Sequence, residues 1–145
     1  MSISIRRLNA SDVSTAQAVT EIMASTFGEG TGATAARLAE LLQDDHFWLY
    51  GAFDDDTPVG GLSAHVIPIT REDGYELFIY DIAVQPSHQR RSIGTQLMHA
   101  AIEAGKESGV LCAFVPADND DQNALDFYRA LGGEAQAVTF FNFNF

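Results

Sequence analysis

The chain has 145 residues, of which 46% are hydrophobic and 19% are charged, and these values indicate a globular domain, not a disordered chain. No apolar run approaches the roughly 18 residues that span a bilayer, and Met1 to Asn9 lack the apolar stretch and small-residue cleavage site of a signal peptide, so we expect a cytoplasmic domain without a membrane partner. The formal net charge of -12 repels nucleic acid and favours a cationic partner, although acidity can also serve solubility alone. The single cysteine excludes an internal disulfide, and the four histidines lack metal-ligand spacing, so we expect no metal site.

The first half of the sequence predicts one strand, two helices and three further strands, in that order. Side chains in residues 3–8 alternate in character, which predicts a short strand. Asn9, Ser11 and Asp12 can cap a helix, whose apolar positions follow at helical spacing as far as Phe27. Glycines in 28–32 break that helix, and a second helix is predicted over about 33–43. Strands are predicted over 47–53, 59–69 and 75–84, and the last is the most apolar, so we expect it at the centre of the sheet.

The second half predicts two more helices, each followed by a strand. The helices lie at about 94–108 and 121–131, with a strand at 110–115 between them, and Gly132-Gly133 supplies a left-handed end. Residues 137–145 alternate and predict a last strand, whose phenylalanines can complete the sheet or cover a dimer partner: Phe140, Phe141, Phe143 and Phe145. The order β-α-α-β-β-β-α-β-α-β predicts a mixed α/β sheet in a single domain over residues 1–145.

The loop between the strand at 75–84 and the next helix has the features of a pyrophosphate site, from Gln89 to Gly94. Unpaired N–H groups at a helix start bind phosphate, and Gly94 allows a close approach of the anion. Arg90 and Arg91 add positive charge in a chain of net charge -12. The alternative is a plain strand-to-helix turn that carries surface arginines.

This segment, Gln89-Arg90-Arg91-Ser92-Ile93-Gly94, resembles motif A of the GNAT superfamily of acetyl-CoA-dependent N-acetyltransferases, written Q/R-x-x-G-x-G/A, with Ser92 in place of the first glycine. The resemblance implies a single-domain α+β fold with a mixed sheet of about six to seven strands and about four helices. It also implies acetyl-CoA as donor, bound by the backbone of two neighbouring segments: Ile82, Ala83, Val84, Gln89, Arg90, Arg91, Ser92, Ile93, Gly94 and Thr95.

A second segment, Asp121 to Gly133, resembles the family pattern N-x-x-A-x-x-(L/F)-Y-x-x-x-G-(F/G), with Asp121 in place of the asparagine. Tyr128 matches the tyrosine that lies near the sulfur of coenzyme A and protonates the departing thiolate; the alternative is a core aromatic. Within the superfamily the stretches 78–84, 89–94 and 116–121 are similar to the short aminoglycoside 3-N-acetyltransferases. That similarity implies acetylation of the 3-amino group of aminoglycoside antibiotics, hence resistance, and a homodimer, which is common in the family.

The acceptor site is expected around Asp81, a carboxylate within an apolar strand. Burial should raise its pKa and make it a base or an amine anchor, although a buried pair that serves only the fold is the alternative. Tyr80 belongs to the same segment, whereas Glu76 lies on the opposite face unless a bulge changes the alternation. Further carboxylates that can bind ammonium groups, or simply form a solvated turn and helix cap, are Asp118, Asp120 and Asp121.

Two other functions remain open at the level of sequence. One is a GNAT enzyme for another amine, such as a polyamine, a small metabolite or a protein N-terminus. The other is a non-catalytic acyl-CoA-binding module, for which Ser92 in the glycine position is the only indication.

Overall fold

A computed structural model describes residues 2–145, in which five strands form one sheet between helices on its two faces. The strands are β1 Ile3–Arg7, β2 Phe47–Asp54, β3 Thr57–Pro68, β4 Tyr75–Val84 and β5 Ala113–Phe114, and the helices are α1 Val13–Phe27, α2 Ala35–Leu42, α3 Ile93–Glu107 and α4 Gln122–Ala130. The strand order is β1-β2-β3-β4-β5; β4 and β5 are parallel, and the other neighbours are antiparallel. Within residues 2–145, no helix combines the length and apolar character that crossing a bilayer requires.

Local side-chain chemistry explains where the helices begin and end. The Thr34 hydroxyl accepts a hydrogen bond from the Arg37 N–H at the start of α2, and the Asp121 carboxylate accepts one from the Ala124 N–H at the start of α4. At the end of α1, Gly28 takes the left-handed conformation with φ of 74°. All four helices therefore lie within two residues of their predicted bounds.

Two hydrophobic clusters hold the helices on opposite faces of the sheet. On one face, α3 packs against β2, β3 and β4, with α4 at its margin. On the other face, α1 and α2 pack against a cluster centred on Leu49, Phe53 and Ala83. Gly61 lets α1 approach β3, because a Cβ atom on it would lie 2.6 Å from a Val19 methyl group and 2.7 Å from the Met23 sulfur.

The structure corrects the expected place of the strand at 75–84. The central strand is β3, whereas β4 is bounded by β3 on one side and by the two-residue β5 on the other. The strand predicted over 110–115 is reduced to Ala113–Phe114, because its pairing with β4 ends at Phe78. Beyond Phe78 the two strands separate, so no ladder of hydrogen bonds extends β5.

The last predicted strand, at 137–145, is also wrong in the described chain, and the sheet has five strands instead of six or seven. Residues 133–145 have no regular structure, and the large apolar side chains of this tail are at least 65% exposed. Alternation shows that a segment has two chemically distinct faces, but a strand also needs a neighbouring edge to pair with. Among residues 2–145 the tail is paired with no strand of the sheet.

Candidate active site

A bulge in β4 determines which side chains share the face of the sheet under α1. Ser63 pairs with Asp81 and Ala64 pairs with Ile79, so Tyr80 is an extra residue. The side chains that share this face are Glu76, Phe78, Asp81 and Ala83, because their partners alternate regularly along β3: Ile67, His65, Ser63 and Gly61. A regular strand would place Glu76 and Asp81 on opposite faces, and that expectation is wrong. The predicted alternative, in which a bulge places them on the same face, is found.

Asp81 and Tyr80 line a cleft of about 330 Å³ together with Phe27 and Glu29. Burial raises the pKa of Asp81, and the nearby Glu29 carboxylate raises it further, while His65 acts in the opposite direction. A carboxyl group with a raised pKa is a stronger base than an exposed aspartate. The cleft thus combines a partly desolvated base, a second carboxylate and two aromatic rings.

Phe27 and Glu29 were not predicted as site residues, because the glycines in 28–32 indicated only the end of a helix. Gly28 and Gly30 both have positive φ, 74° and 73°, and they turn the chain so that Glu29 comes to the rim of the cleft. A charged residue held between two glycines directly after a helix was the available signal. It did not reveal which strand the loop would meet.

The second half of β4 has one unpaired edge. Among the described residues, β5 pairs only with Leu77 and Phe78, so the backbone from Ile79 to Val84 has a strand neighbour, β3, on one side only. An extended ligand can pair with such an edge as an added strand does. The resemblance to the GNAT superfamily implies that the backbone of Ile82, Ala83 and Val84, within this open stretch, binds acetyl-CoA.

The predicted pyrophosphate loop has the backbone geometry of an anion site. Arg90 and Ser92 both have φ of 63°, with Arg91 between them, and alternation of this kind turns successive N–H groups into one concavity. The first helical hydrogen bond of α3 runs from the Gln96 N–H to the Ser92 carbonyl. The N–H groups that precede it have no acceptor within the helix: those of Ile93, Gly94 and Thr95.

Side-chain hydrogen bonds connect the predicted pyrophosphate loop and the residue before it to the sheet. The Gln89 amide donates to the Val84 carbonyl over 2.8 Å, and His88 Nε2 lies 2.9 Å from an Asp54 carboxylate oxygen. Because the Gln85 Nε2 that faces His88 Nδ1 can only donate, Nδ1 accepts and the ring proton lies on Nε2, towards Asp54. This hydrogen bond holds the pKa of Asp54 below its usual value. No role was predicted for His88 from the sequence.

Gly94 has a second role besides the one predicted from the sequence. A Cβ atom at this position would lie 3.2 Å from the Phe127 ring, so its absence lets α4 pack closely on the start of α3. Phe127 in turn packs on Tyr128, with ring centroids 5.2 Å apart. The glycine of the phosphate loop therefore also helps to place the predicted catalytic tyrosine.

Tyr128 is partly buried on α4. Burial raises its pKa, and the charges of Asp121 and Asp81 raise it further. The hydroxyl is therefore protonated at neutral pH and able to donate. Because the Asp81 charge acts on this pKa, the two predicted catalytic groups are close enough to influence each other.

Four predicted acceptor residues lie apart from the cleft or already have a structural partner. Glu76 forms an ion pair of 3.0 Å with Arg71, and its pairing partner on β3 lies four positions from that of Asp81, roughly 13 Å along the strand. Asp121 caps α4. Asp118 and Asp120 are exposed and do not line the cleft.

Comparison with known proteins agrees with this geometry. The model of the Acetyltransferase (GNAT) family matches residues 16–132. An aminoglycoside acetyltransferase, HMB0005, from an uncultured soil metagenomic sample has 28% identity and a TM-score of 0.93 over 100% of this chain and 99% of that one. Another from such a sample, meta-AAC0020 in complex with sisomicin, has 29% identity and a TM-score of 0.89 over 98% and 96%.

A third structure shares the fold at lower identity. Aminoglycoside N-acetyltransferase AAC(6')-Iy in complex with CoA is 22% identical, with a TM-score of 0.81 over 97% of this chain and 94% of that one. No curated protein sequence matches the chain. The family match covers most of the chain and includes both the loop from Gln89 to Gly94 and Tyr128, so the chain belongs to the GNAT family of acetyl-CoA-dependent acetyltransferases.

Proposed function

We propose that the protein transfers the acetyl group of acetyl-CoA to an amino group of an aminoglycoside, by direct attack in a ternary complex. The observation that carries this proposal is the cleft in which Glu29 and Asp81 lie together beside the open edge of β4. Two carboxylates can hold two ammonium groups of a polycationic aminosugar. The net charge of -12 and the similarity to two aminoglycoside acetyltransferases support the same acceptor class.

On the donor side, this chain contributes mainly backbone groups. The N–H groups at the start of α3 and the charges of Arg90 and Arg91 bind the pyrophosphate. The free edge of β4, from Ile82 to Val84, pairs with the pantetheine arm and donates a hydrogen bond to the thioester oxygen, where negative charge develops during attack.

On the acceptor side, Asp81 binds the ammonium group and takes one proton from it. The free amine then attacks the thioester carbonyl and a C–N bond forms; the nitrogen loses its second proton to solvent, the C–S bond breaks, and Asp81 later releases its proton to solvent. Tyr128 gives its proton to the departing sulfur and is reprotonated from solvent. Glu29 holds a second ammonium group, and Asp118 and Asp120 are available to the outer rings of a larger acceptor.

The nitrogen that is acetylated is the finer part of this proposal. The local sequence similarity favours the 3-amino group. The fold shared with AAC(6')-Iy makes the 6'-amino group the second candidate. A cytoplasmic location, and a role in antibiotic resistance, follow from the same proposed acceptor.

The test measures release of free thiol from acetyl-CoA by the purified protein, with gentamicin, spermidine or no added acceptor. We expect release with gentamicin, and nuclear magnetic resonance of the product then locates the acetylated nitrogen. Release of thiol with spermidine but not with gentamicin would show that the acceptor is a polyamine and not an aminoglycoside. No release with any amine, while calorimetry shows coenzyme A binding, would favour the binding-module alternative.

A matched pair of variants tests the cleft itself. Glu29→Gln should raise the KM for gentamicin about tenfold, since a charge-assisted hydrogen bond is lost. Glu72→Gln removes the same charge from an exposed turn away from the cleft and should leave KM unchanged. Equal KM values for both variants would remove Glu29 from the acceptor site.

A further inference from the structure

Asp54 and His88 connect the turn between β2 and β3 to the segment that leads into the predicted pyrophosphate loop. His88 Nε2 lies 2.9 Å from a carboxylate oxygen of Asp54, although 34 positions separate the two residues in the chain. Both side chains are partly covered, with 16% of His88 and 22% of Asp54 exposed. A hydrogen bond to an ionised carboxylate is stronger than one between neutral groups, so this contact is able to restrain the segment that carries His88.

The turn that carries Asp54 is held by pairing on both sides. Asp54 is the last residue of β2 and pairs with Thr57, the first residue of β3. Asp55 has a positive φ of 53°, and its N–H donates to the Ser2 carbonyl over 2.7 Å. The Asp54 carboxylate therefore extends from the ordered end of a hairpin, where it provides a fixed point for a residue that binds it.

Hydrogen bonds at both ring nitrogens fix the orientation of His88. Nδ1 faces the Gln85 Nε2 atom at 3.1 Å and the Ser87 hydroxyl at 2.8 Å, and both of these groups can donate. Nε2 then carries the ring proton and donates it to Asp54. A ring bonded at both nitrogens cannot turn without breaking a bond, so His88 holds the short 3₁₀ helix Pro86–His88 against the hairpin.

The loop that follows His88 has a backbone shape that needs such support. Arg90 and Ser92 both lie in the left-handed region, with φ of 63°, where a residue with a side chain is strained. Strained backbone persists only where the surrounding structure enforces it. The helix α3 restrains one end of this loop. At the other end, the restraints are the bond of His88 to Asp54 and the bond of the Gln89 amide to β4.

We propose that His88 is a positioning residue for the acetyl donor: its bond to Asp54 keeps the loop from Gln89 to Gly94 in the shape that binds the pyrophosphate. His88 acts through the backbone of the residues that follow it and not by contact with coenzyme A. The turn between β2 and β3 then belongs to the support of the donor site. This inference rests on the proposed binding of the pyrophosphate at that loop and is independent of the amine that accepts the acetyl group.

The bond between His88 and Asp54 should change the affinity for coenzyme A and not the chemical step. The apparent affinity of a ligand falls with the fraction of protein molecules that have the binding-competent shape. Loss of a hydrogen bond to a charged group should lower that fraction about tenfold, because the strained loop then relaxes into other shapes. Asp81 and Tyr128 lie outside the loop, so the rate of acetyl transfer at saturating acetyl-CoA should stay the same.

The negative charge of Asp54 makes the sign of the effect informative. A carboxylate close to an anion site repels a pyrophosphate, so by charge alone Asp54→Ala should strengthen the binding of coenzyme A. Positioning predicts the reverse, a weaker complex, because the loop loses its restraint. Asp54→Asn removes the charge but keeps an oxygen that accepts the hydrogen bond from His88, so its affinity for coenzyme A should remain near that of the parent.

The experiment measures the dissociation constant of coenzyme A by calorimetry, and the KM for acetyl-CoA and kcat with gentamicin. His88→Asn should raise the dissociation constant and the KM about tenfold at unchanged kcat, because the shorter amide cannot reach Asp54. His88→Gln places an amide nitrogen near the position of Nε2 and should bind coenzyme A almost as well as the parent. His88→Asn combined with Asp54→Ala should bind no more weakly than either single variant, since both remove the same bond. His99→Asn, at an exposed position of α3, should leave the dissociation constant unchanged.

Arg90→Gly separates failure of this inference from failure of the donor site. If Arg90→Gly weakens coenzyme A binding and His88→Asn does not, the loop binds the pyrophosphate without this restraint and the inference is overturned. If neither variant changes the dissociation constant, the pyrophosphate binds elsewhere and the donor site is overturned with it. Equal weakening in His88→Gln and His88→Asn would attribute the effect to loss of the ring and not to the hydrogen bond. Circular dichroism checks that each variant is folded, and calorimetry needs no acceptor, so these results stay separate from the test of gentamicin as a substrate.

Discussion

At the scale of single residues, Asp81 is the group on which the proposed chemistry most depends. We predict that Asp81→Asn lowers kcat/KM about 10²–10⁴-fold, because general base catalysis contributes that much and an amide cannot accept the proton. Coenzyme A binding should persist, since the pyrophosphate loop is a separate structure. Steady-state kinetics and calorimetry on the same preparation measure both quantities. Full activity in the variant would remove Asp81 from catalysis.

The same substitution should change stability with pH in a defined direction. The pKa of Asp81 is raised in the folded chain, so the folded state binds the proton more tightly than the unfolded chain does. That contribution is present below the unfolded pKa and is lost as pH rises through the folded pKa. We therefore expect the Tm of Asp81→Asn to exceed that of the parent more at pH 7 than at pH 4, and a constant difference would contradict this.

Ser92 carries a conformational cost that glycine would avoid. A residue with a side chain costs about 1 kcal/mol or more in the left-handed region, and both Ser92 and Arg90 lie there. We predict that Ser92→Gly gains up to about 1 kcal/mol of stability and keeps its affinity for coenzyme A. Arg90→Gly should gain similar stability but bind coenzyme A more weakly, because it loses a charge. Chemical denaturation and calorimetry distinguish the two effects.

At the scale of elements, the approach of β3 to β4 depends on Gly60. A Cβ atom there would lie 2.7 Å from the Ala83 carbonyl oxygen, which is backbone and must move. We predict that Gly60→Ala costs about 1–3 kcal/mol of folding stability and raises the KM for acetyl-CoA, because the proposed mechanism pairs the pantetheine arm with the free edge of β4.

The adjacent Gly61 provides the control for that prediction. Its Cβ atom would meet side chains of α1, with the Val19 methyl group at 2.6 Å, and not β4. Gly61→Ala should therefore lose stability without a comparable rise in the KM for acetyl-CoA. Similar KM values in the two variants would show that the position of β4 is not what Gly60 protects.

The elements also show what a sequence can and cannot predict here. Helices were predicted closely, because capping residues and apolar spacing are local features of the chain. The length of β5 was not, since it depends on where β4 separates from it, and the alternating tail could not reveal whether an edge was available within the same chain.

The candidate site could be predicted only in part, because only its local features are visible in the sequence. Asp81 and the loop from Gln89 to Gly94 lie in one continuous segment, so motif and spacing identify them. Glu29 and Asp54 reach the site from distant parts of the chain and required the three-dimensional arrangement. The extra residue at Tyr80, which gives Asp81 its face, leaves no mark in the pattern of apolar residues.

At the scale of the whole molecule, the net charge of -12 should attract polycations to the cleft by long-range electrostatic interaction. Salt limits the distance over which this attraction acts. The screening length falls from about 10 Å at 0.1 M salt to about 3 Å at 1 M. We predict that the KM for gentamicin rises several-fold between about 0.05 M and about 0.5 M sodium chloride. A monoamine acceptor should show a smaller rise, because the effect grows with the charge of the ligand. If the KM for the monoamine rose as much as the KM for gentamicin, salt would be acting on the enzyme itself and not on the attraction of the acceptor.

The bulge at Tyr80 also bears on which mutations the gene can tolerate. Most substitutions in β4 change one side chain, but loss of the Tyr80 codon would remove the bulge and leave Asp81 opposite Ser63, on the face that it occupies now. The residues that follow would also keep their partners on β3, so Ala83 would stay opposite Gly61. We expect natural variants that lack this residue to keep Asp81 on the acceptor face and to lose only the part of the cleft wall that Tyr80 forms.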